Sequence, residues 1–569
     1  MSDKTKSEPR ESEAPRAERP VWWRIYMPWA VFAGTLLATF LLGMLIISIM
    51  ERRWEAQRPQ LLVKPVAEWE YRSKVWGQNY PREYETFLKT ARKDTRTAFG
   101  GSYLHDYLEQ DPRQVVLFAG YPFSRDYKQA RGHYYAVKDA KETHRTTRAD
   151  GTDTGLPATC FTCKSPQVPV LMHERGIAGF YGGTFQELRS VVHEPIGCLD
   201  CHDPKTMNLR VSRPALRKAF ARQGKDIDKA GHQEMRSLVC AQCHVEYYFA
   251  NNPGPRTDGQ TFGGKGNYLV FPWDDGTGVE AMEAYYAKRP QFFDWLHPIS
   301  GTRMIKMQHP DYEMYKSGIH AFRGVSCVDC HMPYRTEGGV KFTNHHIQSP
   351  LLDIASSCGV CHRWSEEDVR SRVTGMQRNH MALKLRAEDA LVFAHFDVAA
   401  CREAGASDAE LGPLRDQLWR AQLRWDYVSA NNGAGFHSPQ EGSRVLGTAI
   451  DLAQGVRVAA ARLLASKGHS AAPRYPDVTT RKAAAAVILA FEAAAKDGGK
   501  GAPRLLGERP TPAERDSPAP TAPSPPAGSP EAPGTAPAPS DRPSEAPPMA
   551  PPAAGSAPPS QASPPPARQ

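Results

Sequence analysis

The sequence has no long block of charge of one sign and no stripe of alternating basic and aromatic residues. Its 71 Lys and Arg and 62 Asp and Glu are interspersed through the centre, so the formal charge of +9 does not mark a nucleic-acid binder. Cysteine is scarce outside one interval. Of the 11 cysteines, ten form five Cys-x-x-Cys pairs between Cys160 and Cys361, and only Cys401 stands apart. That distribution excludes an ordinary disulfide scaffold. The last 60 residues of the 569 have almost no aliphatic or aromatic side chains, yet hold 21 of the 49 prolines. Such a segment cannot bury enough apolar area to offset chain entropy, and a disordered Pro/Ala/Ser-rich tail is expected over 501–569.

A charge-free stretch of 26 residues runs from Ile25 to Met50. As a helix it spans about 39 Å, enough to cross a hydrocarbon core of about 30 Å. Trp22, Trp23, Tyr26 and Trp29 crowd one end, where aromatic rings favour the headgroup layer. The stretch is longer than a signal-peptide core and no Ala-x-Ala site follows, so an uncleaved anchor over 25–50 is expected rather than a removed leader. A polar segment 1–24 precedes it and a linker 51–70 follows. Each flank carries six Lys plus Arg over comparable lengths, so charge does not orient the helix.

The five pairs read Cys160-Phe-Thr-Cys163-Lys164, Cys198-Leu-Asp-Cys201-His202, Cys240-Ala-Gln-Cys243-His244, Cys327-Val-Asp-Cys330-His331 and Cys358-Gly-Val-Cys361-His362. Four are followed at once by His, the attachment signature of haem c. Cysteines at i and i+3 share one side of a helical turn and reach the two vinyl groups of one porphyrin, and the next residue is set to ligate the iron. Zinc sites draw their remaining ligands from a distant second pair, and redox dithiols come singly, so neither accounts for four adjacent histidines. About 40 residues per cofactor is too little protein to insulate five macrocycles. They must share a core, and their propionates offset the chain's positive excess. Haem c is assembled outside the bacterial cytoplasm, which puts the domain after Met50 in the periplasm. Cys401 is expected to be a buried thiol acting as a small apolar residue.

Lys164 stands where the other motifs have His. Lysine ligates iron only as the neutral amine; a degenerate motif with a solvated lysine accounts equally for this residue taken alone. The surrounding residues decide. The set of five motifs with Cys-x-x-Cys-Lys first resembles the pentahaem, ammonia-forming cytochrome c nitrite reductases. The likeness extends to Ala119–Ser124 (AGYPFS), Arg131-Gly132-His133, Cys240–Phe249 (CAQCHVEYYF), Phe271–Gly276 (FPWDDG), Lys306–Glu313 (KMQHPDYE), Gly318-Ile319-His320, Arg424-Trp425-Asp426 and Phe436-His437-Ser438-Pro439. It covers roughly residues 70 to 490.

That resemblance implies six-electron reduction of nitrite to ammonium at the Lys164-ligated haem, whose distal face is open. Arg145, Tyr247 and His309 match the family's catalytic trio. The other four haems are implied to be bis-histidine carriers: His202 paired with His345, His244 with His133, His331 with His437, and His362 with His320. The expectation falls on His345 rather than on its neighbour His346. Glu246, the Tyr247 carbonyl, the Lys306 carbonyl and Gln308 match the ligands of a calcium ion in the family, an oxygen set suited to a hard cation. The implied cofactors are five haem c and one calcium.

Beyond His362, Val369–Glu403, Asp408–Val428 and Ser443–Ser466 read as long helices. With short helices and Gly/Pro-bearing loops around the motifs, the fold class is mainly α: a haem-packed core over 71–500 with long C-terminal helices. By the same resemblance those helices mediate a homodimer, and electrons come from a quinol-oxidising membrane cytochrome or a small periplasmic donor. The expected location is the periplasmic side of the bacterial inner membrane, or the soluble periplasm if the leader is cleaved. A purely conducting multihaem wire, and a reductase preferring hydroxylamine or sulfite, are the competing readings. Lys164 with Arg145, Tyr247 and His309 argues against the wire.

Overall fold

A computed structural model describes residues 21–57, 63–148, 150–251, 267–497 and 501–507. Most of the expected polar segment, part of the linker and the tail from 508 lie outside the described residues. Helix α1 (Val21–Gln57) contains the Ile25–Met50 stretch, with a mean hydropathy of 2.4 and none of its strongest apolar window buried. Among the described residues it is the one helix long and apolar enough to cross a membrane. It continues past Met50 to Gln57.

The motif-bearing region contains α2 (Gln167–Tyr181), α3 (Pro214–Arg222), α4 (His232–Ala241) and α5 (Asp311–Lys316), with the single turn Cys198–Cys201 between α2 and α3 and the turn Cys327–His331 after α5. Among the described residues, the named strands form two-stranded antiparallel ribbons. The longer ones pair Tyr248–Asn251 with Asn267–Val270, and Tyr334–Glu337 with Val340–Thr343. The architecture is thus mainly helical.

Four helices close the domain: α6 (Glu366–Glu403), α7 (Asp408–Ser429), α8 (Pro439–Ser466) and α9 (Arg481–Lys496). Each begins where local chemistry dictates. The Ser365 hydroxyl accepts from the Asp368 amide, and Glu366, Glu367 and Asp368 crowd the first turn of α6, where the helix dipole favours negative charge. Ser407 and Glu410 form a reciprocal capping box on α7. Pro439 opens α8 at the position where its missing N–H costs nothing. These caps move the starts of α6 and α8 earlier than apolar periodicity suggested. Helix α9, Ala-rich and capped by Thr480, was not among the helices expected.

Helix α6 lies along both α7 and α8, and the buried short helix Arg113–Leu117 packs against α6 and α9. Trp425 of α7 sits on Phe118 with ring centroids 5.5 Å apart and donates to the buried Glu388 carboxylate of α6. Cys401 is fully buried, its thiol 3.4 Å from the Ala460 carbonyl. Packing continues past the expected boundary at 500: Leu505 is buried, its amide donates to Glu403, and its carbonyl accepts from the Arg474 amide.

One buried ion pair ties the first two motifs together. Arg213, 1% exposed, pairs with Asp200 inside the second motif and donates to the carbonyls of Thr162 and Ser165, which flank the end of the first. Arg213→Met leaves the Asp200 carboxylate buried and unpaired, and should cost about 3–5 kcal/mol. A denaturation midpoint unchanged from the parent protein would show the pair to be dispensable.

Candidate functional site

Each Cys-x-x-Cys-His unit closes on itself. In the second, third and fifth motifs the amide of the ligand residue donates to the first cysteine's carbonyl: His202 to Cys198 at 2.9 Å, His244 to Cys240 at 3.0 Å and His362 to Cys358 at 2.8 Å. The fourth is itself the turn Cys327–His331. One such turn brings two thiols and an imidazole to one side. The first motif closes differently: the Lys164 amide donates to Phe161, after a 3₁₀ turn over Ala158–Phe161.

The ten motif cysteines form no disulfides with one another and line one continuous cavity of about 1700 Å³, together with Lys164 and the eight expected histidines. A single small-molecule site holds about 300–1,000 Å³. Thiols of neighbouring motifs meet within it, Cys163 with Cys243 and Cys240 with Cys327. The third motif therefore stands between the first and the fourth.

The structure draws the histidines together in pairs across this cavity. Ring centroids are 6.3 Å apart for His133 and His244, 6.3 Å for His202 and His345, 6.3 Å for His320 and His362, and 6.4 Å for His331 and His437. Two metal–nitrogen bonds of about 2 Å each plus the two ring radii leave centroids roughly 6 Å apart. The spacing fits an iron centred between each pair, and the motif cysteines lining the same cavity fit covalent attachment. These are the four pairs the resemblance implied, His345 rather than His346 included.

Ring orientation is set from behind. His202 Nδ1 lies 2.8 Å from the Met207 carbonyl, His331 Nδ1 3.0 Å from that of Gln348, and His345 Nδ1 2.8 Å from that of Thr343. A proton donated from Nδ1 leaves the Nε2 lone pair free to ligate. His244 differs, with Nδ1 2.9 Å from the Asp311 carboxylate. Backbone proximity couples two of the ligand-bearing loops: Gly318 lies so close to the His437 carbonyl that a Cβ there has no room. Gly435, at φ +85°, similarly makes space for the buried His380 ring.

Around Lys164 the surroundings change. Arg145, Tyr247 and His309 line the same cavity, and the Tyr247 and His309 rings are 6.5 Å apart. Arg145 and Lys164 both lie within electrostatic reach of Cys160. The Arg145 guanidinium is fixed by Thr143, whose hydroxyl accepts from its Nε at 3.2 Å, and by stacking 4.1 Å over Phe123. Thr143 in turn donates to the buried Asp126 at 2.6 Å. Burial pushes the His309 imidazole down to about 3. Burial also raises the Tyr247 phenol well above its ordinary value.

Behind this trio lies a buried acidic layer. Glu246 is fully buried; its two carboxylate oxygens accept from the Gln308 amide at 2.5 Å and from Tyr286 at 3.0 Å. The Gln308 side chain reaches the Lys306 carbonyl at 3.2 Å. Glu246, Lys306 and Gln308 thus converge, with Tyr247 directly following Glu246. Burial raises the Glu246 carboxyl well above the usual range, and Glu313 beside it is raised to about 8 for the same reason. Among the described residues neither acid forms an ion pair, so a cation would relieve two desolvated carboxyls, and the oxygen donors fit calcium.

Three positioning residues went unnamed in the sequence reading although they fall within motifs it quoted. Glu313 accepts the Glu246 amide at 2.8 Å, and Asp311 meets His244. Asp426 pairs with the Lys306 side chain at 2.8 Å and accepts the Met307 amide at 2.8 Å, fixing the loop that leads to His309. Both members of the Asp426–Lys306 pair are about 2% exposed or less. Asp426→Ala should therefore cost about 3–5 kcal/mol, and Asp426→Leu with Lys306→Met should recover part of that loss. A double-mutant cycle with no coupling would rule the clamp out.

A family model described as cytochrome c552 matches residues 72–502. The chain is 46% identical over 478 residues to cytochrome c-552 of Bacteroides fragilis strain YCH46, covering 83% of this chain and 94% of the relative. It is 45% identical over 459 residues to cytochrome c-552 of Porphyromonas gingivalis, covering 80% and 89%. Its fold is similar to that of the cytochrome c nitrite reductase from Desulfovibrio desulfuricans ATCC 27774, with a TM-score of 0.63 at 34% identity over 70% of this chain and 88% of that one; the catalytic subunit of that protein is described with two calcium sites. The match across most of the chain, the extent of these relatives and the shared multihaem fold together make the chain a member of the cytochrome c552 family, that of the cytochrome c nitrite reductases, and an oxidoreductase.

Proposed function

We propose that the protein reduces nitrite to ammonium, taking up six electrons and eight protons and releasing two waters, at a haem c attached to Cys160 and Cys163 and ligated by Lys164. The observation that carries this reading is the contrast between one motif and four. Four motifs end in a histidine with a second imidazole 6.3–6.4 Å away. The remaining one ends in Lys164 and shares its side of the cavity with Arg145, Tyr247 and His309. When bound, the five haems supply the electrons and the coordination position for nitrite.

The chain's own residues supply the rest. Lys164 holds its haem as a neutral amine, so its proton is lost on ligation. Arg145 gives the pocket a fixed positive charge that attracts the anion and stabilises charge as N–O bonds break. The neutral His309 ring donates a hydrogen bond to a departing oxygen and passes protons to it. Tyr247 orients the bound nitrogen species by its phenol. Glu246, Gln308 and the carbonyls of Lys306 and Tyr247 hold one calcium ion, which fixes the loops that present Tyr247 and His309. The catalytic domain begins near 71 and runs past 500 to include the buried Leu505, and is tethered by α1 on the periplasmic side of the inner membrane. The long C-terminal helices pair two copies, and a quinol-oxidising membrane cytochrome or small periplasmic carrier delivers electrons.

Electron paramagnetic resonance combined with nitrite turnover under a reduced dye tests this reading. One high-spin haem beside four low-spin ones, with stoichiometric ammonium, is the expected result; five low-spin centres without turnover would overturn it. His309→Asn should lower turnover about 10²–10⁴-fold while five covalent haems remain. Chelation should reduce activity, added Ca²⁺ should restore it, and Glu246→Gln should abolish that recovery. Activity indifferent to chelator and to added calcium would remove the metal from the scheme.

A further inference from the structure

We propose that Asp311 is a positioning residue that lowers the reduction potential of the third motif's haem by acting through His244, making that centre the strongest electron donor to the first. The proposal rests on the reading of His244 as an iron ligand.

Asp311 stands apart from the other groups behind the paired imidazoles. His202, His331 and His345 donate from Nδ1 to neutral backbone carbonyls. Among the described residues, only His244 has a carboxylate there, at 2.9 Å. That carboxylate is held firmly in the interior. The Asn432 amide reaches one of its oxygens at 2.7 Å, and the Asn432 side chain reaches the other, the one facing His244, at 2.6 Å. The Asp311 side chain is 8% exposed, and among the described residues no Lys or Arg pairs with it. Its oxygens are thus held by hydrogen-bond donors rather than by a cation, where water screens them weakly.

Two effects follow with the same sign. A hydrogen bond to an anion increases the basicity of the ligating imidazole, and a fixed negative charge nearby favours the oxidised iron over the reduced one. Position gives the effect its use. Cys243 of this motif meets Cys163 of the first, and Cys240 meets Cys327 of the fourth. Electrons travelling between the fourth and first motifs pass here, and a low-potential carrier beside the reaction site makes the last transfer downhill. Asp311 also donates its own amide to the His309 carbonyl at 2.6 Å, so turnover alone would not separate a redox role from a shift of His309.

The test is a spectroscopic redox titration of the five-haem protein without nitrite. Asp311→Asn keeps an acceptor for His244 but removes the charge; one of five midpoints should rise by at least a tenfold change in its reduction equilibrium, about 59 mV for one electron. Asn432→Ala keeps the carboxylate and removes one of its donors, so the same midpoint should fall. Unmoved midpoints in Asp311→Asn, with five haems and four low-spin signals intact, would overturn the proposal and leave the nitrite reading standing. If Asp311→Asn does not fold, the absence of a downward shift in Asn432→Ala overturns it equally. Fewer than four bis-histidine signals in the parent protein would instead remove the ligation on which the proposal rests.

Discussion

Four pairs of imidazoles held at one separation, 6.3–6.4 Å between ring centroids, are the constraint around which the motif region is arranged. The imidazole pairs are drawn from points far apart in the chain: His202 faces His345, and His133 faces His244. Each pair is a long-range constraint linking a motif turn to a loop. Conventional packing surrounds them: Phe161, Phe180, Phe185 and Trp273 of the motif region join the Leu, Ala and aromatic residues of α6, α7 and α8 in one apolar core.

The polar layer behind the pairs explains how loops with little regular structure hold such geometry. Backbone carbonyls orient three imidazoles, Thr143 and Phe123 fix Arg145, and Asp426 anchors the loop that ends at His309. Most of these partners are buried, where an unmatched charge or donor is costly. The proposed reaction site is preorganised by groups that never touch the substrate, as electrostatic stabilisation of a reacting anion requires.

Much of this was legible in the sequence because haem attachment is local chemistry. Cys198 to His202 fit within one turn, so spacing alone reveals their purpose. The mainly helical class and the cores of α6, α7 and α8 were also readable from composition. The distal histidines were not. His133 or His320 is an ordinary histidine until the fold sets it opposite His244 or His362, and only the family resemblance singled them out. Asp311, Glu313 and Asp426 were hidden for the same reason, their partners lying 67 to 120 residues away. Helix α9 escaped notice because its Ala-rich face buries only a thin stripe, Ala484, Ile488, Phe491 and Ala494.

The close approach of Gly318 to the His437 carbonyl joins a loop serving the fifth motif to one serving the fourth. His320 and His437, which these loops carry, thereby share a single mechanical joint. A strain introduced at either loop is felt at the other, so mutational drift in these two segments has to proceed in concert, and hydrogen is the largest substituent the joint admits.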